Sequence, residues 1–238
     1  MTVKFRPLAC LALLALLMTC APAHASLLSV EIFVNGESVA IVSAEPNPNG
    51  AVPLDFEALD ASLQIAGSAL LDIDPFITYS FSALNFGENP QQFSLSFTLP
   101  YTLGPYDTLT HEFSSTVTDF DQNGAAGVAP TNAFMAIPFI DGTDIAAAGL
   151  GTGCTQIDTP GFVDLVCDPF ASASVAVTTL ADGEFGVNVA MTLSGGDAIT
   201  GQGRVELLNT QVVPEPVTLS LLGLGLVVVA VRRRRRAR

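Results

Sequence analysis

The stretch Phe93-Ser94-Leu95-Ser96-Phe97-Thr98-Leu99 sets an apolar residue at every second position and a small hydroxyl residue between. A period of two places the Phe and Leu side chains on one face of a strand and the hydroxyls on the other. The same rhythm runs outward in both directions. Val30, Ile32 and Val34 alternate before Asn35-Gly36, with Val39 and Ile41 beyond it. Asn-Gly between two alternating runs is a hairpin signal, because both turn residues must accept positive φ. Ile77, Tyr79, Phe81 and Ala83 share one face of a further strand, which predicts a buried Tyr79. Thr108 to Thr118 is a Thr- and Ser-rich strand that carries Phe113. Phe134 to Ile140 is a short apolar one, whose Pro138 suggests an edge or a bulge. Val175 and Val177, then Val187, Val189, Met191 and Leu193, alternate again. Gly195-Gly196 turns the chain into a last strand, Ala198 to Leu208. Pro46 to Gly50 reads as a loop, and Asp55 to Gln64 as a short helix. Many short strands at near-regular spacing, with no fixed repeat, predict an all-β fold, an antiparallel β-sandwich.

The sandwich is expected to fill residues 26–213, a length that buries one sizeable core. Its charge is lopsided. Every acid of the chain except Glu215 lies there, against a single basic residue, Arg204. The formal net charge of −14 for the whole sequence hides this imbalance. Such a surface repels nucleic acid and anionic headgroups, and suits an exported protein or one that collects cations.

Residues 1–25 read as a secretory signal peptide. Lys4 and Arg6 form the charged region and Leu8 to Met18 the apolar core. Ala23-His24-Ala25 is a small-x-small cleavage site that makes Ser26 the new N-terminus. Cleavage at Cys20, as in a lipoprotein, is the weaker match, because Thr19 is bulky for it.

Residues 214–238 fall into three pieces. Pro214-Glu215-Pro216 is held extended, since proline lacks an N–H and keeps the residue before it out of the helical region. Val217 to Val231 is uncharged and would make about 22 Å of helix. That is short for a bilayer core of about 30 Å. The cluster Arg232, Arg233, Arg234, Arg235 and Arg236 offsets the shortfall by reaching to the headgroups, and its charge keeps it cytoplasmic. A single C-terminal transmembrane helix in the inner membrane follows, with the sandwich outside. The three pieces in this order resemble the PEP-CTERM sorting signal. The resemblance implies an exosortase as processing partner, with Pro214, Glu215 and Pro216 as the motif it engages. It also implies an inner-membrane intermediate, then the cell surface or matrix, often alongside exopolysaccharide and biofilm genes. The part from Tyr79 to Cys167 resembles the exported domain of some PEP-CTERM proteins, which implies no activity.

Within the sandwich, Cys154 and Cys167 are the cysteines left after the signal. In an oxidising compartment they read as a disulfide, and a zinc site lacks further ligands nearby. Asp119-Phe120-Asp121-Gln122-Asn123-Gly124 fits the first half of a calcium loop, with Asp119, Asp121 and Asn123 as oxygen ligands. The twelfth position is Pro130 rather than Glu, and the alternative is a polar turn between strands. His111, beside Glu112, reads as an exposed strand residue. Without a G-x-S-x-G motif, nothing supports it as a catalytic base. Gly149 to Gly153 lacks the basic residue and βαβ context of a phosphate loop.

No cofactor is required, calcium aside. The expected function is a surface or matrix protein without catalytic activity, sorted by its tail. The alternative is an extracellular glycan-binding module, for which Tyr101 and Tyr106 on one exposed concave patch would be the sign, since the chain has no Trp.

Overall fold

A computed structural model of the protein describes residues 27–101, 106–157, 164–178 and 183–209. The expected signal peptide and the whole C-terminal tail lie outside these residues, and so does the transmembrane helix expected there. The described residues hold no helix long and apolar enough to cross a membrane.

They form two antiparallel sheets, of eight and six strands. The first sheet contains β1 (Leu28–Val34), β2 (Glu37–Ala44), β6 (Gln91–Tyr101), β8 (Ala125–Pro130), β9 (Ala136–Ile140), β10 (Thr143–Asp144), β11 (Cys154–Ile157) and β13 (Gly183–Leu193). The second contains β3 (Val52–Leu59), β4 (Leu63–Asp72), β5 (Phe76–Asn85), β7 (Thr108–Thr118), β12 (Asp164–Ala176) and β14 (Ala198–Leu208), in the order β12-β7-β14-β5-β4-β3. One turn of 3-10 helix, Ala146–Ala148, is the helical element among the described residues.

β6 occupies the middle of its sheet, between β1 and β13, and its Phe93, Leu95, Phe97 and Leu99 are sealed in the core. The two sheets meet through aromatic rings. Phe97 stacks on Tyr79 with centroids 4.8 Å apart and meets Phe56 edge-on at 5.7 Å. Phe93 meets Phe81 edge-on at 6.1 Å. Offset and edge-to-face pairs of this kind add about 0.5–1.5 kcal/mol each beyond the area they bury. Asn35 and Gly36 take positive φ of 52° and 85°, making the two-residue hairpin between β1 and β2.

One expected element is overturned. Residues 55–64 are not a helix but the end of β3, a turn, and the start of β4. Leu54, Phe56 and Ala58 face inward while Asp55, Glu57 and Leu59 face out. The Glu, Ala and Leu of this stretch favour a helix weakly, and pairing with β4 overrides that preference.

The disulfide joins Cys154 of β11 to Cys167 of β12, with Cα atoms 5.1 Å apart. These strands belong to different sheets, so the bond ties the two layers together.

Candidate functional site

Three connections between the sheets converge at one end of the sandwich: Phe86 to Pro90 after β5, Asp119 to Gly124 after β7, and Ser194 to Asp197 after β13. They are laced by backbone bonds, Gly196 N–H to Gly87 O and Asp121 N–H to Gly196 O, both 3.0 Å. Asn85, fully buried, donates from Nδ2 to the carbonyls of Asn89, Leu193 and Ser194. Gly196 sits at φ +76°, and a Cβ there would run into the Asp121 carboxylate. The turn therefore needs glycine both for its backbone angle and for the close approach.

This convergence assembles Asp119, Asp121 and Asp197, each offering an oxygen within 4.8 Å of the others. Asp119 and Asp197 are 2% and 0% exposed. Strand register explains the meeting. Thr118 pairs with Ala198 across β7 and β14, so continuing that ladder by one step sets Asp119 opposite Asp197. Asp119 Oδ2 accepts the Gly124 N–H at 2.9 Å. Asp197 Oδ2 accepts from the Ser194 hydroxyl and, at 3.3 Å, from the Gly127 N–H. Oδ1 of Asp119 and Oδ1 of Asp197 are buried without a partner. Burial pushes the Asp197 carboxyl up. The Ser194 and Gly127 hydrogen bonds pull the other way, and the charges of Asp119 and Asp121 push it up further.

Asn123, the third ligand of the expected calcium loop, is turned to local work. Its Oδ1 accepts the Ala125 N–H at 2.8 Å and its Nδ2 donates to Asp121 at 2.9 Å. Asp197 escaped sequence reasoning because no local spacing links it to Asp119. Only the β7–β14 register does.

His111 is a second correction. It is fully buried rather than exposed. Its parity in β7 matches Leu109, Phe113 and Val117, all of which face inward. Nδ1 lies 2.7 Å from the Ala148 carbonyl, so Nδ1 carries the proton and donates, while Nε2 has no partner. Burial lowers its pKa to about 4, partly offset by that hydrogen bond.

The tyrosines do not form the exposed patch that would be the sign of a glycan-binding module. Tyr79 is buried as predicted. Tyr101 meets Tyr106 edge-on at 6.3 Å, but it is 1% exposed and offers no face to a ligand. A concave surface lies elsewhere, on the outer face of the second sheet. A groove of about 600 Å³ is lined there by Asp55, Ser68, Thr78, Glu112, Gln202 and Arg204, with the ring of Phe170 exposed at its side. Arg204 contacts Glu206 at 2.8 Å and lies over the Phe76 ring.

Residues 212–236 match the model of the PEP-CTERM protein-sorting motif. The chain carries a PEP-CTERM sorting motif. The PEP-CTERM match takes in Pro214-Glu215-Pro216, the apolar run and the arginines through Arg236, and it begins beyond the end of β14. No curated protein matches the sequence. Among solved structures, the chain is similar to TmCBM61 in complex with beta-1,4-galactotriose at 8% identity, a TM-score of 0.26, and coverage of 62% of this chain and 90% of the other. It is also similar to a beta-glucosidase from Kluyveromyces marxianus in complex with glucose, at 7% identity, a TM-score of 0.25, and coverage of 76% and 16%. A putative aldose 1-epimerase from Escherichia coli K12 gives 12% identity, a TM-score of 0.23, and coverage of 75% and 79%. Likeness at this level carries no argument about the sandwich or its ligands.

Proposed function

We propose that this is a surface or matrix protein without catalytic activity, exported by its signal peptide and processed by an exosortase at its tail. The observation that carries the reading is the sorting motif at 212–236. The apolar run halts export with the arginines in the cytoplasm, and Pro214 to Pro216 offers an extended backbone at the outer face of the inner membrane. Cleavage there discards most of the positive charge and frees an acidic β domain to the cell surface or matrix. Changing Pro214, Glu215 and Pro216 together to Ala lets the helix grow outward over the site. In an exosortase-bearing host the wild type loses its tail, whereas the variant stays in the membrane fraction at full length. Identical fractionation of the two reduces the tail to an anchor and ends this reading.

A second reading, extracellular glycan binding, is supported by the groove on the outer face. Its hydroxyl, amide and carboxylate side chains suit the paired hydrogen bonds of sugar hydroxyls, and the exposed Phe170 ring offers an apolar face beside them. A pull-down of matrix polysaccharide with the released protein tests it. Phe170→Ala and Gln202→Ala each weaken retention several-fold if the groove is the site. Retention that both variants leave unchanged removes the groove from the argument.

A further inference from the structure

Asp119 and Asp197 stand opposite each other at the ends of neighbouring strands, both inside the protein, with Asp121 beside them. Like charges directly across a ladder destabilise it, and burial makes the repulsion worse. A folded protein normally answers such a cluster with Lys or Arg. The described residues contain a single basic side chain, Arg204, and it is engaged with Glu206 and Phe76. Two buried carboxylate oxygens, Oδ1 of Asp119 and Oδ1 of Asp197, have no hydrogen-bond donor at all. A buried acceptor left unmade costs about 1–3 kcal/mol, and more when it is charged.

We propose that this end of the sandwich binds a calcium ion through Asp119, Asp121 and Asp197. The ligand atoms are all carboxylate oxygens, the hard donors that calcium takes, with neither the thiolate nor the imidazole that favours zinc. Calcium bonds oxygen at about 2.3–2.6 Å, so its ligand oxygens lie within about 5 Å of one another, as these do. Water completes the shell on the exposed Asp121 side. The ion gives Asp119 Oδ1 and Asp197 Oδ1 their missing partner and joins the connection after β7 to the connection after β13. This goes beyond the sorting and glycan readings and stands or falls apart from them.

Equilibrium dialysis of the full-length chain in detergent micelles against radioactive calcium tests it. One ion binds saturably, with a Kd on the order of 0.1–1 mM, the range of extracellular calcium modules. Asp197→Asn and Asp121→Asn each weaken binding at least about tenfold, as expected for removing a charged ligand. Glu37→Gln, which removes the same charge from an exposed position on β2, leaves binding unchanged. Melting in chelator and in calcium supplies the second readout. Without calcium, Asp197→Asn melts no lower than wild type because it relieves the repulsion. With calcium the order reverses. Asp121 is exposed on its turn, so its variant carries the test even if Asp197→Asn folds poorly. Absence of saturable binding overturns the proposal. So does an equal loss in Glu37→Gln, or a melting response that magnesium matches, since either marks diffuse screening.

Discussion

His111 enters the core neutral, and that has a consequence for pH. Its ordinary pKa is 6.5, and in the folded protein it falls to about 4 because burial penalises the charged ring. Between these values the unfolded chain holds the proton and the folded chain does not, so protonation favours unfolding. Stability present above pH 6.5 is therefore lost as pH falls towards 4, and the loss levels off below that. The full shift amounts to roughly 3 kcal/mol. Urea unfolding at steps from pH 7 to pH 4, for wild type and His111→Gln, isolates this contribution from that of the carboxylates. The difference between the two curves should shrink or reverse as pH drops. Parallel curves would show that the imidazole titrates alike in both states. The burial was legible in part, since His111 shares its parity with Leu109 and Phe113. A histidine is polar enough to suit a surface position, and only the layer packed over β7, including the 3-10 turn whose Ala148 carbonyl it meets, seals its face.

At the scale of elements, strands with a clean period of two were readable and those without it were not. β6 and β13 follow directly from their alternation, and β14, placed by the Gly195-Gly196 turn before it, begins and ends where the sequence places it. β3 and β4 were missed because Glu57, Ala58 and Leu59 favour either state and the partner strand decides between them. β8 and β11 are short pieces whose identity comes from pairing with each other and, for β8, with β13. The disulfide belongs to this scale too. Cys154 and Cys167 are separated by 13 positions, and opening a loop of that size costs about 3 kcal/mol in the chain-entropy model. Mass spectrometry under non-reducing conditions should find one crosslinked peptide pair. Reduction should lower the unfolding free energy by about that amount. Two free thiols in the exported protein would contradict the structure.

Over the whole molecule, charge and topology act together. With Arg204 as the one basic residue among the acids of 26–213, the sandwich repels itself. Sodium chloride should raise its melting temperature by several degrees between 0.01 and 0.5 M, as the screening length contracts from about 30 Å to under 10 Å. A melting temperature flat in salt would mean that bound cations already neutralise the surface. By itself the sequence determined the β class, most of the strands, the sorting tail and the charge imbalance. Each of these is local or additive: a period of two, a run of apolar residues, a count of charges. What only the tertiary structure decided is which distant residues meet. Asp197 lies beside Asp119 because β14 pairs with β7 in one register, the groove exists because the six-stranded sheet turns its polar face to solvent, and His111 is sealed because a second layer covers it. Contacts between residues far apart in the chain are set by strand pairing and layer packing, which no local window of sequence contains.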